Sequence, residues 1–150
     1  INRLNFKDPV TLVRSPTLIK LSSGVSVNAS KPASLVKGFG LADIHLLKIN
    51  PNGDVLWEKT YGGSLKDFPA NLIETSLSEI CIAATTESFG AGSRDMYLIW
   101  LDQSGNFIRE KSFGNSDIEA AAEVLEIENN ELMLFGHKQS GGEEIEIFIF

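Results

Sequence analysis

From residue 43 onward the chain alternates between short apolar runs and clusters of Gly, Asn, Asp and Ser. The runs 44–49 (IHLLKI), 55–61 (VLWEKTY), 70–75 and 80–85 are rich in β-branched and aromatic residues. Such runs, bounded by turn-forming residues, predict β-strands. The same pattern returns at 96–101, 107–113, 122–127 and 132–137. The nearest approach to a helical period is DIEAAAEVLEIE, from Asp117. Its earlier counterpart, KDFPANLIETSL, carries Pro69 and Thr75-Ser76 in mid-segment, which argues for a strand in both places. The final EEIEIFIF alternates acidic with apolar residues, as a strand with one wet face does.

The second set of runs is a copy of the first. A shift of 52 residues (95 − 43) carries Asp43 onto Asp95 and holds without a gap for several dozen positions. Leu46 meets Leu98, Gly53 meets Gly105, Glu58-Lys59 meets Glu110-Lys111, Gly62 meets Gly114 and Glu74 meets Glu126. Where identity fails, chemistry persists: Tyr61 with Phe113, Asp67 with Glu119, Ile82 with Leu134. Repetition at about 50 residues is the signature of propellers and solenoids.

Each unit then reads as four antiparallel strands, the composition of one propeller blade. Asn50-Pro51-Asn52-Gly53 places proline at the second position of a type I turn and glycine where the chain must turn left-handed to rejoin a strand. Asp102-Gln103-Ser104-Gly105 repeats this hairpin loop without the proline. Neither loop has the alternating oxygen ligands and distal glutamate of a calcium loop. TSLSE and ENNE separate the third and fourth strands, and the glycine-rich SFGAGSRD crosses to the next unit, as LVKGFGLAD does before Asp43. The expected fold is all-β, a partial β-propeller of four-stranded antiparallel blades. Residues 1–34 are expected to form part of a preceding blade or an N-terminal segment, with SSGVSVNAS as its fourth strand. Residues 35–94 and 95–143 form two blades, and 144–150 the first strand of a further, truncated one. A unit of this kind exposes an apolar face unless neighbours cover it, and propellers close with at least four blades. The partners implied are therefore the remaining blades of a longer chain or other copies.

The stretch from DIHLLKINPNGDVLWEKTYGG to DMYLIWLDQSGN resembles the repeats of bacterial secreted or lipoprotein-type β-propeller proteins. The residues that carry the likeness are Asp95, Tyr97, Leu98, Ile99 and Leu101 in one copy. In the other they are Gly53, Trp57, Tyr61, Gly62, Gly63, Asp67 and Thr75. The spacing from Gly53 to Trp57 is also similar to the docking tryptophan of quinoprotein-type propellers, whose indole packs between blades. Arg109 stands at that position in the second copy, which implies a weaker interlock there. The resemblance implies export to the periplasm, cell surface or medium. It implies no particular activity, because the family is functionally mixed.

Composition narrows the partners. The 150 residues are 43% hydrophobic and 22% charged, ordinary for a folded domain. Thirteen Lys and Arg against twenty Asp and Glu give a net charge of −7, with no basic run, which disfavours nucleic acid and anionic membrane surfaces. No apolar run is long enough to cross a bilayer. The chain starts at Ile1 without a signal-like layout, and reads as a mature protein or an excerpt. Cys81 is the single cysteine, set in an apolar run, and reads as a small buried hydrophobe.

Candidate chemistry is sparse. Asp43 and Asp95 each precede the first strand of a unit, and their recurrence favours a structural task such as accepting backbone N–H bonds. His45 and His137 lie on strands of different order and do not form a metal pair. No nucleophile-elbow serine or phosphate-cradling glycine motif is present. No catalytic, cofactor or metal residue is therefore assigned, and no cofactor is expected. The function expected is a non-catalytic scaffold or a surface for protein or glycan. The alternative is part of a propeller enzyme, glycoside hydrolase-like or quinoprotein-like, whose catalytic residues lie outside the chain.

Overall fold

The computed structural model describes residues 17–20, 26–30, 40–139 and 143–149. They form eleven strands: β1 (Thr17–Lys20), β2 (Ser26–Ser30), β3 (Ile44–Ile49), β4 (Val55–Tyr61), β5 (Asp67–Glu74), β6 (Ile80–Thr86), β7 (Asp95–Leu101), β8 (Phe107–Phe113), β9 (Ile118–Glu126), β10 (Leu132–Gln139) and β11 (Glu143–Ile149). Among the described residues there is no α-helix, only a short 3₁₀ turn at Glu128–Asn130. Every strand pairing is antiparallel, and the strands group as β1-β2-β3-β4, β5-β6-β7-β8 and β9-β10-β11. The protein is thus all-β. Of the segment 1–34, residues 17–20 and 26–30 form β1 and β2 and the rest lies outside the described residues, as does residues 35–39 of the crossing before Asp43.

The hydrogen-bonded sheets are offset by two strands from the sequence repeat. The strands read at 44–85 as one unit divide between two sheets: β3 and β4 close the first, β5 and β6 open the second. The cause is the connections. The β4–β5 link is where the chain crosses, and it is tied by a parallel bridge between Ala42 and Lys66. The glycine-rich segment between β6 and β7, expected to cross between units, instead joins neighbouring strands of one sheet. Third strands also start earlier than expected: β5 takes in Asp67 and Phe68, with Pro69 at a register shift on the sheet edge, where its missing N–H removes no interior ladder bond.

The second sheet is buried on both faces, which explains why β6 and β7 read as unbroken apolar runs. In β7, Tyr97, Ile99 and Leu101 face one core while Met96, Leu98 and Trp100 face another. In β6, Ile80, Ile82 and Ala84 divide from Cys81 and Ala83 in the same way. The first core is completed by Ile44, Leu46 and Leu72, the second by Val124, Leu132 and Leu134. Each of the Val, Ile, Leu and Met side chains among them contributes about 1.5–3 kcal/mol by leaving water. The first strand of each later sheet packs on the sheet before it: β5 against β1, β2 and β3, and β9 against β5, β6 and β7.

The two hairpin loops have the expected form. Gly53 (φ 91°) donates its N–H to Asn50 O at 2.9 Å, and Gly105 (φ 73°) donates to Asp102 O at 3.0 Å. The Asn50 Oδ1 accepts from the N–H groups of Asn52 and Asp54, and the Asp102 Oδ1 from those of Ser104 and Asn106. A register shift follows in both hairpins, at Lys48/Ile49 and Trp100/Leu101. The hydrogen bonds from Asn106 hold the Asp102 carboxyl below the usual range. Gly105 has a second constraint, since a Cβ there would meet the Trp57 ring at 3.0 Å. Gly105→Val is expected to lower stability by about 1–3 kcal/mol through the left-handed φ alone, with the Trp57 contact adding to it. Thermal melts of Gly105→Val and Gly53→Val check this: the Gly105 variant should melt lower, and an unchanged midpoint in both refutes the bulged-turn geometry.

Candidate functional site

The carboxylates singled out at Asp43 and Asp95 each acquire a second buried carboxylate. Asp43 precedes β3, and Asp67 starts β5 of the next sheet; both are essentially inaccessible to solvent. They meet at Gly62, where Asp43 Oδ1 and Asp67 Oδ2 both lie under 3.0 Å from the position a Cβ would take. One repeat later Asp95 Oδ1 and Glu119 Oε2 crowd the same point at Gly114. The backbone brings each pair together, because Asp67 N–H donates to Ala42 O (2.7 Å) and Glu119 N–H to Arg94 O (2.9 Å). The sequence signal was the Asp67–Glu119 match, which recurs with Asp43–Asp95 at the same spacing; only the crossing geometry makes partners of them.

Their hydrogen bonds show what they do. Asp67 accepts from the Thr86 hydroxyl (2.5 Å), the Ser88 hydroxyl (2.8 Å) and the Gly63 N–H (2.8 Å). It ties the β6 exit to the turn that follows β4. Asp95 accepts from the N–H groups of Ala91 (3.3 Å) and Gly92 (3.0 Å), and Asp43 from Gly40 N–H (3.4 Å). Both therefore accept backbone N–H bonds from the residues just ahead of a strand, Asp43 immediately before β3 and Asp95 as the first residue of β7. Among the described residues Asp43 Oδ1 has no hydrogen-bond donor, and Glu119 sits 3.7 Å from the Lys138 ammonium.

The sheets interlock through the loop of residues 102–106. Lys48, in β3 of the first sheet, donates to Gln103 O (2.7 Å) and its side-chain Oε1 (3.0 Å). Trp57 Nε1 donates to Gln103 O (3.2 Å), the Tyr61 hydroxyl to Gly105 O (2.6 Å) and Lys59 to Asn106 Oδ1 (2.9 Å). Gln103 Nε2 completes the contact by donating to Ser78 O and Glu74 Oε1. Trp57 thus packs between sheets. Arg109 occupies the matching register, since Lys48 pairs with Trp57 and Trp100 with Arg109. Both positions hold one indole and one cation, exchanged between strands. Arg109 lies over the Trp100 ring (4.6 Å) and forms a two-pronged bond with Glu79 (2.8 Å each), which raises its pKa further.

A cleft of about 160 Å³ opens beside the first core, lined by Tyr61, Phe89, Tyr97, Phe107 and Glu110. Phe89 stacks on Tyr97 at 5.2 Å, and the Tyr97 hydroxyl donates to Glu110. Burial raises both phenols, Tyr97 further through Glu110 and Tyr61 further through Asp102, so both remain donors rather than nucleophiles. The histidines lie apart: His45 Nε2 meets Glu58 Oε1 at 2.6 Å in the first sheet, whereas His137 is exposed in the third. Cys81 is buried, with its thiol pushed up to about 12 chiefly by burial. Among the described residues no group of three or more His, Cys, Asp or Glu is arranged to hold a metal ion.

Two outcomes test these assignments. Asp67→Ala strips three donors of their acceptor and should destabilise the protein by at least about 2 kcal/mol, given about 1–3 kcal/mol per buried unsatisfied group. Asp43→Asn should leave the melting midpoint unchanged or higher, because an amide there offers a donor to the neighbouring carboxylate; calorimetry that reverses this order refutes the roles. Cys81 should resist Ellman's reagent at pH 8 in the folded protein and react within the mixing time in guanidinium. No protein-family model matches the chain, and no curated protein is significantly similar to it.

Proposed function

We propose that the chain is a run of β-propeller blades that serves as a non-catalytic scaffold or binding surface for protein or glycan. The observation that carries the reading is recurrence. Sheets of one topology stack face to face, each first strand packs on the preceding sheet, and the buried carboxylates return at the repeat period with structural donors around them. Carboxylates engaged in this way hold crossings together, whereas catalytic groups converge once in a chain. The cleft at Phe89, Phe107 and Glu110 supplies what a sugar ring needs, an aromatic wall and a carboxylate acceptor. Export from a bacterial cell belongs to this proposal through the family resemblance.

The test is a glycan and protein array probed with the intact protein, read for binding and for hydrolysis together. Retention without turnover, reduced at least tenfold by Phe107→Ala, is the expected outcome, since Phe107 lines the cleft and is exposed. Turnover would replace the scaffold with the enzyme reading, and retention unaffected by Phe107→Ala would move the surface away from this cleft.

A further inference from the structure

Cations and aromatic rings of this protein meet repeatedly. Lys59 lies 5.9 Å from the Trp57 ring centre, Arg94 6.0 Å from Phe68, Arg109 4.6 Å from Trp100 and Lys111 4.9 Å from Phe113. The rings that line the aromatic cleft, Tyr61, Phe89, Tyr97 and Phe107, have no such cation among the described residues. A carboxylate, Glu110, stands beside them instead. Lys48 and Lys59 of the first sheet are bound to the loop of residues 102–106 and do not line the cleft.

We infer that this cleft recognises a methylated ammonium group, held by the rings of Phe107 and Phe89 and by the charge of Glu110. The inference rests on the reading of the cleft as the binding surface and names what is bound there. An aromatic ring presents negative charge on its face and attracts a cation, more strongly as water is removed. Phe107 is 55% exposed, so its ring is open to an arriving group. Glu110 is exposed as well, and the Tyr97 hydroxyl donates to its Oε2, which orients the carboxylate from a buried residue.

Charge and hydrogen bonding both select this ligand. Asp43 and Asp67 crowd Gly62, which lines the cleft, so negative charge also reaches it from the crossing behind. The Tyr97 phenol is raised by burial and then by Glu110 and Asp67, the Tyr61 phenol by burial and then by Asp102, so three carboxylates bear on these two rings. The net charge of −7 draws cations to the protein as a whole. Both phenolic hydroxyls are already spent as donors, Tyr61 on Gly105 O and Tyr97 on Glu110. A primary ammonium brings three N–H donors that each need an acceptor on leaving water, whereas a methylated one brings fewer or none. At about 160 Å³ the cleft suits a single head group, below the roughly 300 Å³ of clefts that enclose a drug-sized ligand.

The experiment is calorimetric titration of the intact protein with choline and with 3,3-dimethyl-1-butanol, the neutral alcohol of the same shape. Choline should bind about tenfold more tightly than the alcohol or better. Glu110→Gln keeps an acceptor for Tyr97 but removes the charge, and Phe107→Leu keeps apolar bulk but removes the ring; each should weaken choline binding by about fivefold or more. A peptide carrying trimethyllysine separates the sources of the group: tighter binding than choline marks a protein-borne ligand, equal binding a free solute. Equal affinity for choline and the alcohol, no saturable choline binding, or choline binding unaltered in both variants would overturn the inference. Array retention that Phe107→Ala abolishes, with choline ignored, would overturn the ammonium group alone and leave the cleft as the binding surface.

Discussion

The structure depends on burial of β6 and β7 from both sides. A strand with one wet face can alternate apolar and polar residues, but Ile80–Thr86 and Asp95–Leu101 are inaccessible along their whole length. Half of their side chains need the first sheet and half need the third. No sheet in this arrangement is a folding unit alone, because removing either neighbour exposes a row of Ile, Leu, Met and Trp. The interdependence also explains why polar groups concentrate at the crossings. Where the chain passes from one sheet to the next its backbone leaves the ladder, and the displaced N–H groups need acceptors. Asp43, Asp67, Asp95 and Glu119 are placed at those points.

Much of this was legible in the sequence and some was not. The repeat, the strand content and the left-handed glycines at 53 and 105 follow from local chemistry, because turn residues and period-two runs act over a few positions. The grouping of strands into sheets does not. A tandem repeat has no intrinsic starting point, so 44–85 reads as a unit as well as 67–113 does, and only the crossing at Ala42 and Lys66 decides between them. The pairing of Asp43 with Asp67 is hidden for the same reason, since it joins strands of different sheets.

Trp57 and Arg109 show how a departure from a pattern is read differently in one dimension and in three. Along the sequence, arginine in place of the docking tryptophan looks like a loss. Across the hairpin the exchange is reciprocal: Lys48 faces Trp57, and Trp100 faces Arg109. Bulged loops of the same kind set both registers, so the cross-strand pair conserves a cation and an indole although neither position does. The unit of recurrence here is the pair.

The same logic bears on what this fold can offer a ligand. Groups that recur at the repeat period are occupied in holding sheets and crossings, and they change little from one sheet to the next. Groups that differ between repeats can change the surface without changing the crossings. Phe107 stands where the first repeat has Val55, and Tyr97 where it has His45; both line the aromatic cleft beside Glu110. The cleft has no equivalent wall one repeat earlier, since His45 and Val55 would supply neither the stacked ring nor the apolar edge. Specific recognition needs such asymmetry, because a surface repeated identically on every sheet offers no unique address.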